Sequence, residues 1–412
     1  MTFYIQKMKN GLYLSMSFLP LFTFPDFNLY STPLLVLVLQ GLIFAILLLV
    51  RFLQKKNTSD LFLAFILLIT CYHRTTYTIG FMDWYDTYRN TKINYYLVSL
   101  AMVMAPMIYF YVKSITTSDF RFKRKDIWHF VPWILFFLTK LFILLYDVSQ
   151  PGFNDTQNGP MVVNFEWKYL GPVVTLFSTG QMLLYLAFTF QHFYQYKKKI
   201  QQYFSNTYKL ELNWIRNFLY VYAFIFLYGF VQIFINEVIV EMSWTQKWWL
   251  QFCSALIVIY VGIKGYFTNT IKLTALNFES RNEIIRSKIN RQSQELSNEV
   301  EQRKKQVQNY FENEKPFLNP DLNLSELARE LQMHRAELSE VINAGFGQNF
   351  NDFVNSFRVE FFKQKLNEGV HKQLSLLGIA YDSGFNSKAT FNRVFKKLTN
   401  TSPTEFLNSL SK

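Results

Sequence analysis

Seven stretches of about 20 mostly apolar residues, each long enough to carry a helix across a hydrocarbon core of roughly 30 Å, occupy most of residues 34–267. They run over 34–53, 61–80, 93–112, 127–146, 169–190, 214–235 and 249–267. One such stretch could be a buried helix of a soluble protein. Seven in series, in a 412-residue chain that is 50% hydrophobic with 44 Phe and 25 Tyr, predict an all-α fold built on a seven-helix transmembrane bundle.

The connecting segments alternate in charge. Loops one, three and five, with their flanking span ends, hold Arg51, Lys55, Lys56, Lys113, Arg121, Lys123, Arg124, Lys125, Lys197, Lys198, Lys199 and Lys209. Loops two, four and six hold only Arg89, Lys92, Lys168 and Lys247, against seven acids that include Asp83, Asp86, Asp147, Asp155, Glu237 and Glu241. Basic loops stay on the cytoplasmic side, so an odd number of spans predicts an outside amino end and a cytoplasmic segment 268–412. The net charge of +13 belongs mainly to this apolar part: residues 1–268 carry 22 Lys/Arg against 12 Asp/Glu, whereas residues 317–412 carry 11 against 10. Trp84, Trp167, Trp244 and Trp248 fall in outer loops and suit an interfacial belt. Residues 1–30, with Lys7 and Lys9 before an apolar run, form a segment of uncertain role: a signal-like region, an interfacial segment or a short extra span.

After the span domain, 31–268, a polar stretch without Pro or Gly reaches Pro316 and predicts one long linker helix over 269–316. Its apolar residues Ile285, Ile289, Leu296, Val300, Val307 and Phe311 follow spacings of 4, 7, 4, 7 and 4. That eleven-residue repeat makes a nearly straight, narrow stripe, expected to be a coiled-coil seam between two chains or, as the alternative, one face of a single amphipathic helix.

Residues 317–412 change character. In "LNLSELARELQMHRAELSEVIN", Ser325 is a plausible N-cap, Leu324, Leu327, Ala328 and Leu331 share a face, and a break at Gln332 and Met333 precedes a second helix with Leu338, Val341 and Ile342 inward. "LSLLGIAYDSGFNSKATFNRVFKKL" repeats the plan: Ile379 and Ala380 pack, Gly384 turns, Phe385 plugs the core, and Ser387 caps a helix with Phe391, Val394, Phe395 and Leu398 inward. A helix over 351–366, about 24 Å long at 1.5 Å per residue, joins two helix-turn-helix units that could enter successive major grooves. The exposed face of the last reading helix presents Lys388, Ala389, Thr390, Asn392, Arg393 and Lys396. Arg and Asn can pair bidentately with guanine and adenine edges, while Lys388, Lys396 and Lys397 suit phosphates.

The two units, the joining helix and "IAYDSGFNSKATFNRVFKK" followed by "SPTEF" resemble the AraC/XylS family of bacterial transcription regulators. "EKPFLNPDLNLSELA" looks like the start of that domain in Bacteroidota members fused to a membrane sensor. The resemblance covers about residues 312–412 closely and the seven spans in outline. It implies a seven-helix DNA-binding domain whose third and sixth helices read bases, by position 334–343 and 387–398. The contacting residues would then be Arg335, Ala336, Ser339, Glu340 and Asn343 from the first, and from the second Ser387 with the exposed residues already named. It also implies double-stranded DNA and RNA polymerase as partners. Glu337, Ser339 and Glu340 depart from the Arg or Gln frequent on the first reading helix, so DNA affinity is expected mainly from the second unit.

Ionisable groups inside spans are costly. His73, Arg74 and Lys140 fall at similar depth, and with Gln181 and Gln232 they suggest a cationic pocket for an unknown anionic small molecule or peptide carboxylate. The alternative is snorkelling toward Asp86, Asp147 or Glu237. The histidines His73, His129, His192, His334 and His371 are scattered, the cysteines are only Cys71 and Cys253, and no phosphate loop precedes a helix. Neither enzyme nor metal nor cofactor is expected. The chain reads as a membrane-anchored, homodimeric one-component regulator in a lipid bilayer; a transporter or channel with an appended regulatory domain is the alternative.

Overall fold

The computed structural model describes residues 25–88, 92–117, 120–207, 210–267 and 293–410. Among them the chain is helical throughout, apart from turns and one isolated bridge between Phe204 and Asn323. Seven helical segments are long and apolar enough to cross a membrane. The chain divides into two compact units, one of residues 1–193 with 214–275 and the other of residues 194–213 with 276–412.

In the first unit, α1 (Ser31–Lys55) and α2 (Thr58–Phe81) pack side by side, and α3 (Ala101–Thr116) lies on α2. After α4 (Val131–Val148) and α5 (Gly171–Tyr203) come α6 (Asn213–Phe234) and α7 (Trp244–Phe267), which packs on α1 and α2. Lys56 in the left-handed conformation ends α1, and Pro132 opens the first turn of α4, where its missing N–H costs nothing. At Gly41, a Cβ would collide with Cys71 and Val258, so the small residue sets how closely α1 meets its neighbours.

Arg51, counted above among the basic loop residues, has a packing role. It pairs with the buried Asp60 carboxylate at 2.6 Å and donates to the carbonyls of Gly265 and Tyr266, tying the ends of α1, α2 and α7 together. The third apolar segment is interrupted: a short turn Ile93–Tyr96 precedes Ala101, with 97–100 unwound. Trp167 and Trp244 are exposed as an interfacial belt requires, but Trp248 is buried, stacked on Phe252 and donating to the Tyr30 carbonyl.

The second unit has two cores that share one long helix, α11. Its elements are α8 (Ser293–Asn313), α9 (Leu324–Glu330), α10 (Arg335–Glu340), α11 (Phe350–Asn367), α12 (Leu376–Asp382), α13 (Lys388–Thr399) and α14 (Pro403–Leu410). One core gathers Leu327, Leu331, Leu338, Val341 and Ile342 around Phe353 and Val354 of α11. The other gathers Ile379, Ala380, Phe385, Phe391, Val394 and Phe395 around Val359, Phe362 and Leu366 of the same helix. Asn323, not Ser325, caps α9, its side chain accepting the Glu326 N–H at 3.0 Å. Leu398 is 39% exposed, although it was expected to face inward with Phe391, Val394 and Phe395.

The linker differs most from its sequence pattern. Val307 and Phe311 are fully buried in the first core, Phe311 against Phe353 and Phe357, so both are spent within one chain and cannot form a seam with another. Ile285 and Ile289 lie outside the described residues; Leu296 and Val300 fall on α8.

Candidate nucleic-acid interface

The most amphipathic element of this unit is α13. Ser387 caps it, its hydroxyl accepting the Thr390 N–H and donating to the Thr390 hydroxyl at 2.9 Å. Thr390 is therefore a buried capping partner and is not on the reading face. Lys388, Ala389, Asn392, Arg393, Lys396 and Lys397 are exposed on one side, and Lys397 pairs with Asp352 at 2.7 Å. Gly384, at φ +90°, makes the turn before this helix; a Cβ there would strike the Phe317 carbonyl and press on Arg358.

On the first pair of helices, His334 and Glu337 form a capping box at the start of α10. Ala336, Glu340 and Asn343 are exposed, and Arg335 and Ser339 half-buried. Asn343 donates back to the Ser339 carbonyl at 2.7 Å, and Glu337 is held by Arg303 of α8 at 2.9 Å.

Residues 194–213, the segment between two of the long apolar helices, pack into this same unit. Ser205 is fully buried, bonding the Leu322 carbonyl through its hydroxyl at 2.6 Å, while its own carbonyl accepts from Asn351 at 2.7 Å. Arg358, 1% exposed, binds the carbonyls of Phe317 and Asn319 at 2.8 Å each, the Asn355 side chain and the Ser205 hydroxyl. Burial pulls its guanidinium down to about 10, with Asp321 acting the other way, so it is charged at neutral pH.

The same segment reaches both exposed reading faces. Glu211 accepts from Arg393 at 3.0 Å, and Arg335 sits over the Tyr203 ring at 5.0 Å. Burial works to raise the Glu211 carboxyl; the Thr207 hydroxyl, Arg393, Asn213 and Lys197 outweigh it, leaving it below its ordinary value and ionised.

Residues 327–409 match the family described as a helix-turn-helix domain. A probable transcription factor of Proteus vulgaris, PqrA, is 31% identical over 88 residues, which is 21% of this chain and 70% of its own length. The chain belongs to the helix-turn-helix transcription regulators of the AraC type. Uncharacterized HTH-type transcriptional regulators from Staphylococcus aureus strains COL and MSSA476 are each 33% identical over 86 residues, 21% of this chain; the chain spans only 11% of their length. No solved structure matches.

In this AraC-type unit the involvement of residues 194–213 escaped sequence reasoning, which treated them only as a basic loop. Two signals were present. Arg358 interrupts the apolar stripe Phe350, Val354, Phe362 on α11, and a buried cation demands partners. Glu211 is an acid in a loop whose other charges, Lys197, Lys198, Lys199 and Lys209, are basic.

Of the five residues expected to form a cationic pocket, His73 and Arg74 line one cavity and Lys140 is engaged elsewhere. Lys140 donates to Glu166 at 2.6 Å and to the Asn94 carbonyl at 3.0 Å, a closed ion pair with an acid the sequence reading had not named as its partner. Asp147 is fully buried, accepting from Tyr95, Met161 and Val162. His73 and Arg74 line a cavity of about 360 Å³ in the first unit; Gln181 and Gln232 are buried beside it, each with one unpartnered amide atom.

Proposed function

We propose that this chain is a membrane-anchored, sequence-specific DNA-binding transcription regulator in which the loop between its fifth and sixth spans restrains the DNA-reading surface. The observation that carries this reading is the Glu211–Arg393 contact. Arg393 is the side chain on α13 best suited to read guanine, and its Nη2 donates to a carboxylate from residues 194–213 at 3.0 Å. A base edge or phosphate must displace that carboxylate, and the negative charge beside the helix opposes DNA until it moves. On the first expected reading helix, Arg335 lies over the Tyr203 ring, a cation–π contact in place of an ion pair. Packing of residues 194–213 with the C-terminal helices supports the reading that both lie on one side of any membrane, the side the loop charges predict.

The signal would act by favouring one of two arrangements of this loop, since equal affinity for both shifts nothing. The DNA-reading surface, phosphate-directed lysines and RNA polymerase would meet on the cytoplasmic face of the inner membrane. Pairing of two chains would rest on the linker before Val307, where Ile285, Ile289, Leu296 and Val300 keep the repeat. The transporter reading has one observation behind it, the interruption of the third apolar segment at 97–100.

Mapping chromosomal sites bound by the intact protein tests the proposal. Discrete promoter sites are expected, with Arg393→Ala weakening them by about 1–3 kcal/mol in a base-specific way and Glu211→Gln tightening them. Absence of sites in both wild type and Glu211→Gln would overturn it in favour of the transporter.

A further inference from the structure

The cavity in the first unit runs between α2, α3, α6 and α7, with Thr179 and Met182 of α5 closing one side. It is elongated: its lining along α6 extends over 218–233, about 22 Å at 1.5 Å per residue. Most of its wall is aliphatic or aromatic, including Ile66, Leu67, Phe226, Ile257 and Val261, and among the described residues Arg74 is the one charged group that lines it.

Arg74 is not satisfied by the protein. Its Nε and Nη1 atoms are buried without a hydrogen-bond partner, in a side chain that cannot shed its charge by deprotonation at physiological pH. His73 does not add a second cation, because its Nε2 accepts the Leu100 N–H at 3.0 Å, a bond that needs an unprotonated nitrogen there. Thr70, Thr179, Tyr222 and Ser254, with His73, are the polar groups sharing the wall. A lone guanidinium with two open donors, set in an elongated apolar slot, fits a carboxylate carried on a hydrocarbon tail: the head takes the fork geometry of arginine, and the tail fills the slot.

We propose that this cavity is the binding site of an anionic amphiphile, a single carboxylate or comparable acidic head on an apolar chain, with Arg74 as its head-group anchor. The inference rests on the seven helices being a membrane-embedded sensor, and it names the class of signal that sensor takes. A free lipophilic acid and an anionic membrane lipid share this chemistry.

The test uses the full chain in nanodiscs of zwitterionic phosphatidylcholine, with radiolabelled dodecanoate and its uncharged methyl ester as probes. Saturable binding of dodecanoate, at least tenfold weaker binding of the ester, and a loss of at least tenfold in Arg74→Gln are expected. Arg74→Lys keeps the charge but loses the fork, and retains part of the affinity. Ile257→Trp fills the slot without touching the anchor and also weakens binding. Equal uptake of acid and ester, or unchanged dodecanoate binding in Arg74→Gln, would mean partition into lipid and would overturn the proposal; so would binding of neither. Mass spectrometry of protein taken from its native membrane separates the sources: an anionic phospholipid retained by wild type and lost from Arg74→Gln marks a membrane lipid, and an acid without a phosphate marks a free ligand. Because binding is read without DNA, a failure of promoter binding leaves this result standing, and a failure here leaves the DNA reading standing.

Discussion

Among the described residues, Arg358 and Arg74 hold buried guanidinium nitrogens, one in each compact unit, and they are treated in opposite ways. Arg358 has acceptors on every side: the carbonyls of Phe317 and Asn319, the Asn355 amide oxygen and the Ser205 hydroxyl. Arg74 leaves Nε and Nη1 without partners beside a cavity. A buried charge is tolerated when its donors are satisfied; the first arginine therefore organises a fold, and the second waits for something the chain does not supply.

The sharpest way to break the contrast is to remove each arginine. Arg358→Met should destabilise the C-terminal unit by about 3–5 kcal/mol, because it strands buried carbonyls and undocks Ser205. Hydrogen exchange in the full chain should show α11 and residues 203–207 losing protection together. Gly384→Ala comes next, at about 2–3 kcal/mol, since it adds a strained φ and a collision with the carbonyl that Arg358 binds; the same measurement should report the same region opening. Arg74→Met should go the other way, leaving the thermal midpoint in nanodiscs unchanged or raising stability by about 1–2 kcal/mol, because it removes an unpaired charge. A large loss of stability there would mean Arg74 is structural after all.

The smallest stability effect is expected at Glu211. Arg393 is 53% exposed, so solvent screens the pair and Glu211→Gln should cost well under about 1 kcal/mol. Its promoter affinity should nevertheless rise about two- to five-fold, the range that such a pair's strength converts to. The pH dependence follows from the sign of the shift. The Glu211 carboxyl lies below its ordinary value of 4.5, so the contact contributes fully above that value and is lost as pH falls through the lower one. Promoter affinity measured between pH 6 and 8 should therefore show no step from Glu211, while the step in acid should vanish in Glu211→Gln.

Much of the architecture was legible because it follows from periodicities the chain cannot hide. A helix long and apolar enough to cross a bilayer is apolar along its whole length, so each of the seven such helices announced itself. The N-cap of α13 and the turn at Gly384 were legible for a local reason: Ser387 accepts from the nearby Thr390 N–H, and Gly384 turns its own backbone at φ +90°. What failed were partnerships across long separations. Lys140 looked like a pocket residue because Glu166, 26 residues on, could not be placed against it. Glu211 and Arg393 are 182 positions apart, and the eleven-residue stripe of the linker could not say that Val307 and Phe311 face their own domain.

By itself, then, the sequence determined the helices, the seven apolar spans, the loop charges and the chemistry available on the last reading helix, since each depends on neighbouring residues and on solvent. Only the tertiary structure decided which charges are satisfied. Arg51, Lys140 and Arg358 found partners, Arg74 did not, and Arg393 found one in a loop between two spans. The physical reason is that pairing energy depends on a few ångströms of separation in space, a distance that position along the chain does not encode.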